Sequence, residues 1–213
     1  MSLRNRVISP SSNAMKTRWQ SVSFVSPQPL VTCVVGREDI KQNFLIHKNV
    51  IDAHSPFLKA AFQSSMAEGQ KQTMRLEDIE PETFGLLVNW MYNHEIDKQR
   101  CFKSMGEDAN NHASTDVQGR GSPDLMPLIK LWSLGQRMVM PALENAAMEV
   151  IHSLMDNISD IHIIEIANLA CQEEEISIFK GFIVEKLAWT WDRAYLQRLA
   201  VNLPTEIIIA VAL

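Results

Sequence analysis

The spacing of apolar positions changes character along the chain, and each change predicts a different element. Residues 1–28 are polar and broken by Pro10 and Pro27, with Pro29 just beyond, so a flexible tail is expected. Leu30-Val31-Thr32-Cys33-Val34-Val35 is β-branched and apolar and stops at Gly36, the pattern of a short strand followed by a turn. Asn43 to His47 is a second strand candidate, and the few residues from Arg37 to Gln42 between them suit a hairpin. Helical spacing then takes over. Val50 and Ile51 begin a short helix that ends near His54. Ser55 stands where an N-cap belongs, with Pro56 at the first helical position. Phe57, Leu58, Ala61 and Phe62 share one face of the helix that follows. Ser64 to Gln72 is polar and reads as a loop, and Thr73 to Leu76 alternates like an edge strand. Pro81 and Glu82 then open a helix with Phe84, Leu87, Val88 and Met91 on one face and Trp90 and Tyr92 beside it.

Residues 97–123 interrupt this pattern with Asn, Gly, Ser and charges. They read as a mobile insertion, which a fold tolerates because closure entropy grows slowly with loop length. Leu125, Leu128, Ile129 and Trp132 resume a helical face, and Gly135 and Pro141 bracket its end. Leu143, Ala146, Ala147, Val150, Ile151 and Leu154 form an apolar stripe over three turns. Ile163, Ile166, Ala167 and Ala170 make a further stripe, as do Phe179, Phe182, Ile183 and Leu187. Ile207 to Leu213 reads as a closing core segment, far short of the roughly 20 apolar residues that span a bilayer. Short strands interleaved with short helices, then helices alone, predict an α+β fold.

With 213 residues, 46% of them hydrophobic, the chain has material for one domain with extensions rather than two full domains. A net charge of −5 argues against nucleic acid as a partner. Cys33, Cys101 and Cys171 are scattered without CxxC spacing, so reduced thiols are expected rather than disulfides or a zinc site. Before Glu38 there is no acidic residue, while Arg4, Arg6, Lys16 and Arg18 stand among serines. That is the composition of a mitochondrial transit peptide, although Leu3, Val7 and Ile8 make a poor helical face. The alternative is an ordinary tail on a cytoplasmic or nuclear protein. The absence of an apolar h-region argues against secretion.

Val31 to Gly36, then Phe44-Leu45-Ile46-His47-Lys48-Asn49-Val50-Ile51 and Ala53-His54-Ser55-Pro56-Phe57-Leu58, resemble the BTB/POZ signature. The series continues through Ala60-Ala61-Phe62, Met66-Ala67-Glu68, Met74 to Asp78, Pro81 to Phe84 and Leu87 to Tyr92. No single residue is diagnostic; the order and spacing across residues 30–96 carry the resemblance, whose local wording is similar to BTB proteins of filamentous fungi. Residues 124–155 match by helix pattern and position only. The resemblance implies a cluster of short helices flanked by a small sheet over 29–155, with the insertion inside it and a helical extension over 156–213. It also implies a non-enzymatic interaction module with protein partners. Two departures stand out: Val31-Thr32 replaces an acidic residue common before the first strand's apolar core, and Ser21 to Pro29 replaces the amphipathic helix of dimeric members. The oligomeric state is therefore left open.

Chemistry-bearing motifs are absent from the sequence: there is no GxGxxG, P-loop, GxSxG or HExxH. Of the histidines, His47 is expected to tie the second strand to the first helix, and His112 lies in the insertion. Glu173-Glu174-Glu175 suits a solvated helix N-terminus. No cofactor or metal is implied. One motif has an expected role. BTB adaptors that recruit a cullin scaffold carry an apolar residue, any residue, then Glu in the loop that here holds Met66-Ala67-Glu68. A flexible apolar knob beside a register-setting charge suits docking on a partner's helices. The resemblance thus points to Met66 and Glu68 as partner-binding residues of a ubiquitin-ligase adaptor. The alternatives are a self-associating BTB scaffold without a ligase role and a chance occurrence of the motif.

Overall fold

The first strand buries one face, Val31, Cys33 and Val35, and carries Leu30, Thr32 and Val34 on the other, less buried one. In a computed structural model describing residues 22–101, 123–189 and 193–212, β1 (Leu30–Val35) is the middle of a three-stranded sheet. β2 (Gln42–His47) pairs with it antiparallel, Thr32 opposite Leu45, and β3 (Thr73–Leu76) pairs parallel, Cys33 opposite Met74. Val31, Cys33 and Val35 point into the core. The hairpin leaves β1 through Gly36 at φ +94°, where a Cβ would also meet the Pro81 ring at 2.9 Å, so glycine is required twice over.

Helices α1 (Lys48–His54) and α2 (Pro56–Gln63) meet at Ser55. Its Oγ accepts from the Leu58 N–H at 3.1 Å and donates to the Met138 carbonyl at 2.8 Å. The expected N-cap is therefore also a tertiary bolt. The expected loop from Ser64 to Gln72 contains a short helix, α3 (Ala67–Lys71). Its five residues carry no apolar stripe, so its stability comes from hydrogen bonds to its surroundings and not from periodicity. α4 (Pro81–Asn93) begins at Pro81 as expected, and Trp90, read as flanking the apolar face, is buried with it.

α5 (Met126–Arg137) ends between Gly135 and Pro141 as expected, and a Cβ at Gly135 would press on Glu144 Cγ at 3.1 Å. Glycine serves the close approach of α6 (Pro141–Leu154). The left-handed residue that follows the helix is Val139, φ 55°, an uncommon conformation for a β-branched side chain.

Beyond α6 come α7 (Asp160–Gln172), α8 (Ile178–Trp189), α9 (Arg193–Ala200) and α10 (Thr205–Ala212). Glu173 ends α7 and Glu174–Ile176 forms a 3₁₀ turn before α8. The acidic run thus straddles a helix end instead of opening a helix, because Ile176 must turn inward to be buried. Two apolar clusters form the interior. One gathers the sheet and α1, α2 and α4, the other α7 to α10, and both take residues from α5 and α6. α5 gives Leu131 and Leu134 to the first cluster and Leu128, Ile129 and Trp132 to the second. Ion pairs Lys130–Glu80 (2.7 Å) and Arg137–Asp78 (2.6 Å) join α5 to the turn before α4. Exposed pairs of this kind contribute about 0–1 kcal/mol each, so packing holds α5 in place.

Of the expected tail, residues 1–21 lie outside the described residues, and so does the transit-peptide reading. Residues 22–24 contact the body, where Val22 packs against the first apolar cluster, while Val25 stands 97% exposed. The Asn49 side-chain amide donates to the Ser23 carbonyl at 2.9 Å, and the Phe24 ring sits edge-on to His47 and stacked with Tyr92. The expected insertion begins with a 3₁₀ turn, Lys98–Cys101, from which Lys98 reaches Ser153 Oγ at 3.2 Å; residues 102–122 lie outside the described residues.

His54, at the end of α1, faces His94 with ring centroids 4.9 Å apart, and its Nε2 has no hydrogen-bond partner. Burial first, then repulsion by His94, lowers its pKa below the ordinary 6.5. A lowered folded pKa means that the unfolded chain binds the proton more tightly. Stability is therefore full above 6.5 and falls as pH drops through the window between 6.5 and the lower folded value. Melting temperatures measured from about pH 7.5 to about pH 5 should fall in the wild type and fall less in His54→Phe. Parallel curves would show that His54 does not set this slope.

Candidate partner-binding site

Phe62 and Leu58 anchor the end of α2 in the core, so the chain leaving Gln63 starts from a fixed point. Ser64 then turns it: Ser64 Oγ donates to the Ala61 carbonyl at 2.8 Å and accepts from the Met66 N–H at 3.3 Å. Gln70 closes the turn from the other side, its backbone N–H on the Met66 carbonyl (3.0 Å) and its side-chain amide on the Ser65 carbonyl (2.8 Å). Gly69 is packed so closely against Ser64 that a Cβ there would clash with the Ser64 carbonyl oxygen.

The two residues singled out from the motif occupy different environments on this turn. Met66 stands at the N-cap of α3 in extended conformation and is 71% exposed. Glu68 lies in the first turn of α3 and is half-buried, where the helix dipole favours a carboxylate. Two residues apart, they do not share a helix face. The arrangement offers an apolar knob standing off the surface and an anionic group set back from it.

Sequence reasoning passed over what holds this turn. Gln72 ends α3 in the left-handed region at φ 48°. Its side-chain amide donates to the Phe62 carbonyl (3.0 Å) and to the Gly69 carbonyl, and its Oε1 accepts from Lys48 Nζ at 3.0 Å. The Gln72 carbonyl accepts from the Thr32 N–H of β1 at 2.9 Å. Lys48, the second half of the His-Lys pair, thus reaches 24 residues along the chain. The only sequence signal was the pair itself. His47 does more than join β2 to α1: the Tyr92 hydroxyl accepts its backbone N–H at 3.1 Å and lies 2.8 Å from Nδ1.

A cleft of about 510 Å³ opens between the turn before α4, α5 and the 3₁₀ turn after α7. Its lining contains no histidine or cysteine, and two of its three carboxylates, Asp78 and Glu80, are paired with Arg137 and Lys130. Cys33 and Cys171 are free thiols. Burial pushes the Cys33 thiol up to about 12, which leaves the reactive thiolate unpopulated at neutral pH. The side chain of Cys101 lies outside the described set. Among the described residues no group of three or more His, Cys, Asp and Glu could hold a metal ion, and no helix is long and apolar enough to cross a membrane.

Residues 28–113 match the family model of the BTB/POZ domain. The chain carries a BTB/POZ domain. The described part of that match holds the sheet, α1 to α4 and the Met66 turn. Kelch-like protein 40 of Xenopus tropicalis is 36% identical over 56 residues, 26% of this chain and 9% of that protein. Kelch-like protein 40a of Danio rerio is 35% identical over 66 residues, 31% of this chain and 10% of that protein. Kelch repeat and BTB domain-containing protein 8 of Rattus norvegicus is 30% identical over 66 residues, 31% of this chain and 12% of that protein. The matched part of the chain spans about a tenth of the length of these curated relatives. They are vertebrate proteins, and the expected likeness to filamentous-fungal BTB proteins gains no support from them.

Proposed function

We propose that this chain is a non-enzymatic protein-interaction module whose BTB domain docks on a cullin-type ubiquitin-ligase scaffold through Met66 and Glu68, bringing a target with it. The observation that carries this reading is the state of Met66: a large apolar side chain held 71% exposed on a backbone tied on both sides. An exposed methionine on a free loop has little meaning. One displayed on an ordered turn loses less freedom on binding, and preordering of this kind raises affinity. Methionine adapts to irregular pockets, and a nearby carboxylate supplies register. The helices beyond residue 155 are then the place to seek the target.

The test is a calorimetric titration of the full chain with the N-terminal helical region of a BTB-recruiting cullin. Binding tighter than about 10 μM, near −7 kcal/mol, is expected. The Met66→Ala/Glu68→Ala variant should lose at least about tenfold in affinity, as removal of a central anchor does, with its melting temperature unchanged. If the wild-type chain shows no heat of binding, the ligase reading is discarded. A dimer seen by sedimentation of that chain would then favour the self-associating scaffold.

A further inference from the structure

We infer that Lys48 and Gln72 are positioning residues for the Met66–Glu68 surface: they hold the turn in its binding shape without themselves meeting the partner. The inference rests on the adaptor reading and deepens it.

Gln72 is a hub. Its backbone N–H closes α3 on the Glu68 carbonyl, and its own carbonyl takes the Thr32 N–H of the central strand. Its side chain spans the mouth of the turn, donating to Phe62, the last buried residue of α2, and to Gly69 in the middle of α3. These two carbonyls flank the Ser64-to-Glu68 segment, so the amide works as a cross-brace over it. Lys48 orients the brace: with its ammonium on Oε1, the amide can present only its N–H groups to the two carbonyls. A second, longer contact from Lys48 Nζ to the Phe62 carbonyl, 3.5 Å, ties the same corner. Gln72 keeps this post at φ 48°, where glycine or asparagine would be easier for the backbone. From this uncommon backbone conformation the side chain has each of its polar atoms engaged, so it ties three segments together. The brace acts on Met66 through the backbone alone.

Four substitutions in the full chain separate this role from general stability. Gln72→Glu keeps an acceptor for Lys48 but replaces the NH2 group, with its two N–H donors, by one oxygen facing two carbonyls. Gln72→Gly removes the side chain and its three hydrogen bonds while relieving the backbone at φ 48°, and a melting temperature measured alongside separates loss of the brace from loss of the fold. Lys48→Met removes the orienting charge, and Lys48→Arg restores a donor. Hydrogen–deuterium exchange of residues 64–71 reads the turn directly, with or without a partner, and the calorimetric titration reads its use.

In Gln72→Glu and Gln72→Gly the Gln70 amide, bonded to the Met66 carbonyl, should exchange about tenfold faster, the weight of one or two hydrogen bonds. Amides of β1 should be unchanged. Affinity for the cullin region should fall about tenfold in both, fall in Lys48→Met, and return in Lys48→Arg. Unchanged exchange at Gln70 in both Gln72 variants would overturn the brace. Faster exchange with undiminished affinity would overturn its role in binding. If the wild-type chain does not bind, the adaptor reading fails and the binding role with it, while the exchange data still report independently whether the brace orders the turn.

Discussion

Trp132→Ala is expected to cost about 3–5 kcal/mol of unfolding free energy and to lower the melting temperature by roughly 10 °C, at about 2–4 °C per kcal/mol for a chain of this size. Trp132 leaves α5 into the second apolar cluster, 5% exposed, with its ring edge-on to Phe179 of α8 at 5.3 Å. Such aromatic pairs add about 0.5–1.5 kcal/mol beyond burial, and the space left by the indole closes only if its neighbours move. The variant also tests how the molecule coheres. The same helix gives Leu131 and Leu134 to the cluster around the sheet, so loosening its outer face should disturb the BTB side too. A single, lowered transition by both far-UV and near-UV circular dichroism is expected. Phe57→Ala, at a residue 41% exposed, is the control and should cost about 1 kcal/mol or less. A loss below that level in Trp132→Ala would mean that α7 to α10 are not coupled to α5.

Ser55→Ala should cost about 2–4 kcal/mol, far more than a surface serine. The hydroxyl is fully buried and works twice, as acceptor for Leu58 N–H and donor to the Met138 carbonyl. Alanine removes a cap worth about 1 kcal/mol and leaves two buried backbone groups without that partner, at about 1–3 kcal/mol for an unmet group. Met138 immediately precedes Val139, held at φ 55°, so the lost bond also frees the strained end of α5. Urea denaturation should show a lower midpoint with an unchanged slope, the mark of a stability change without a change in the surface exposed on unfolding. A cost under about 0.5 kcal/mol would mean that the hydroxyl's two bonds contribute little net.

Several features of this chain were legible in the order of its residues because they depend on neighbours in sequence. β1, α2, α4 and α6 could be read from period, caps and proline position, since a strand's alternation and a helix's 3.6-residue stripe are local properties. Ser55 before Pro56 marked a helix start for the same reason. Met66-Ala67-Glu68 stood out as a motif, and the BTB/POZ resemblance rested on the spacing of such pieces.

What escaped the sequence reading was set by contacts between distant residues. α3 has no stripe and exists because Gln70 and Gln72 brace it. Gly135 helped to bracket the end of α5, but nothing local showed its close approach to Glu144 on the next helix, and the left-handed turn fell to Val139, which local preference would have refused. Residues 22–28 read as tail because a lone Phe24 has no period, and only the rings of His47 and Tyr92 give it a place. Local residue order was enough for most of the strands and helices and for the segment that carries Met66 and Glu68, but not for α3. Contacts between distant residues set the display of Met66, the set-back of Glu68 and the hold of Lys48 and Gln72 on the turn. A hydrogen bond across 24 residues leaves no periodic trace in the chain that makes it.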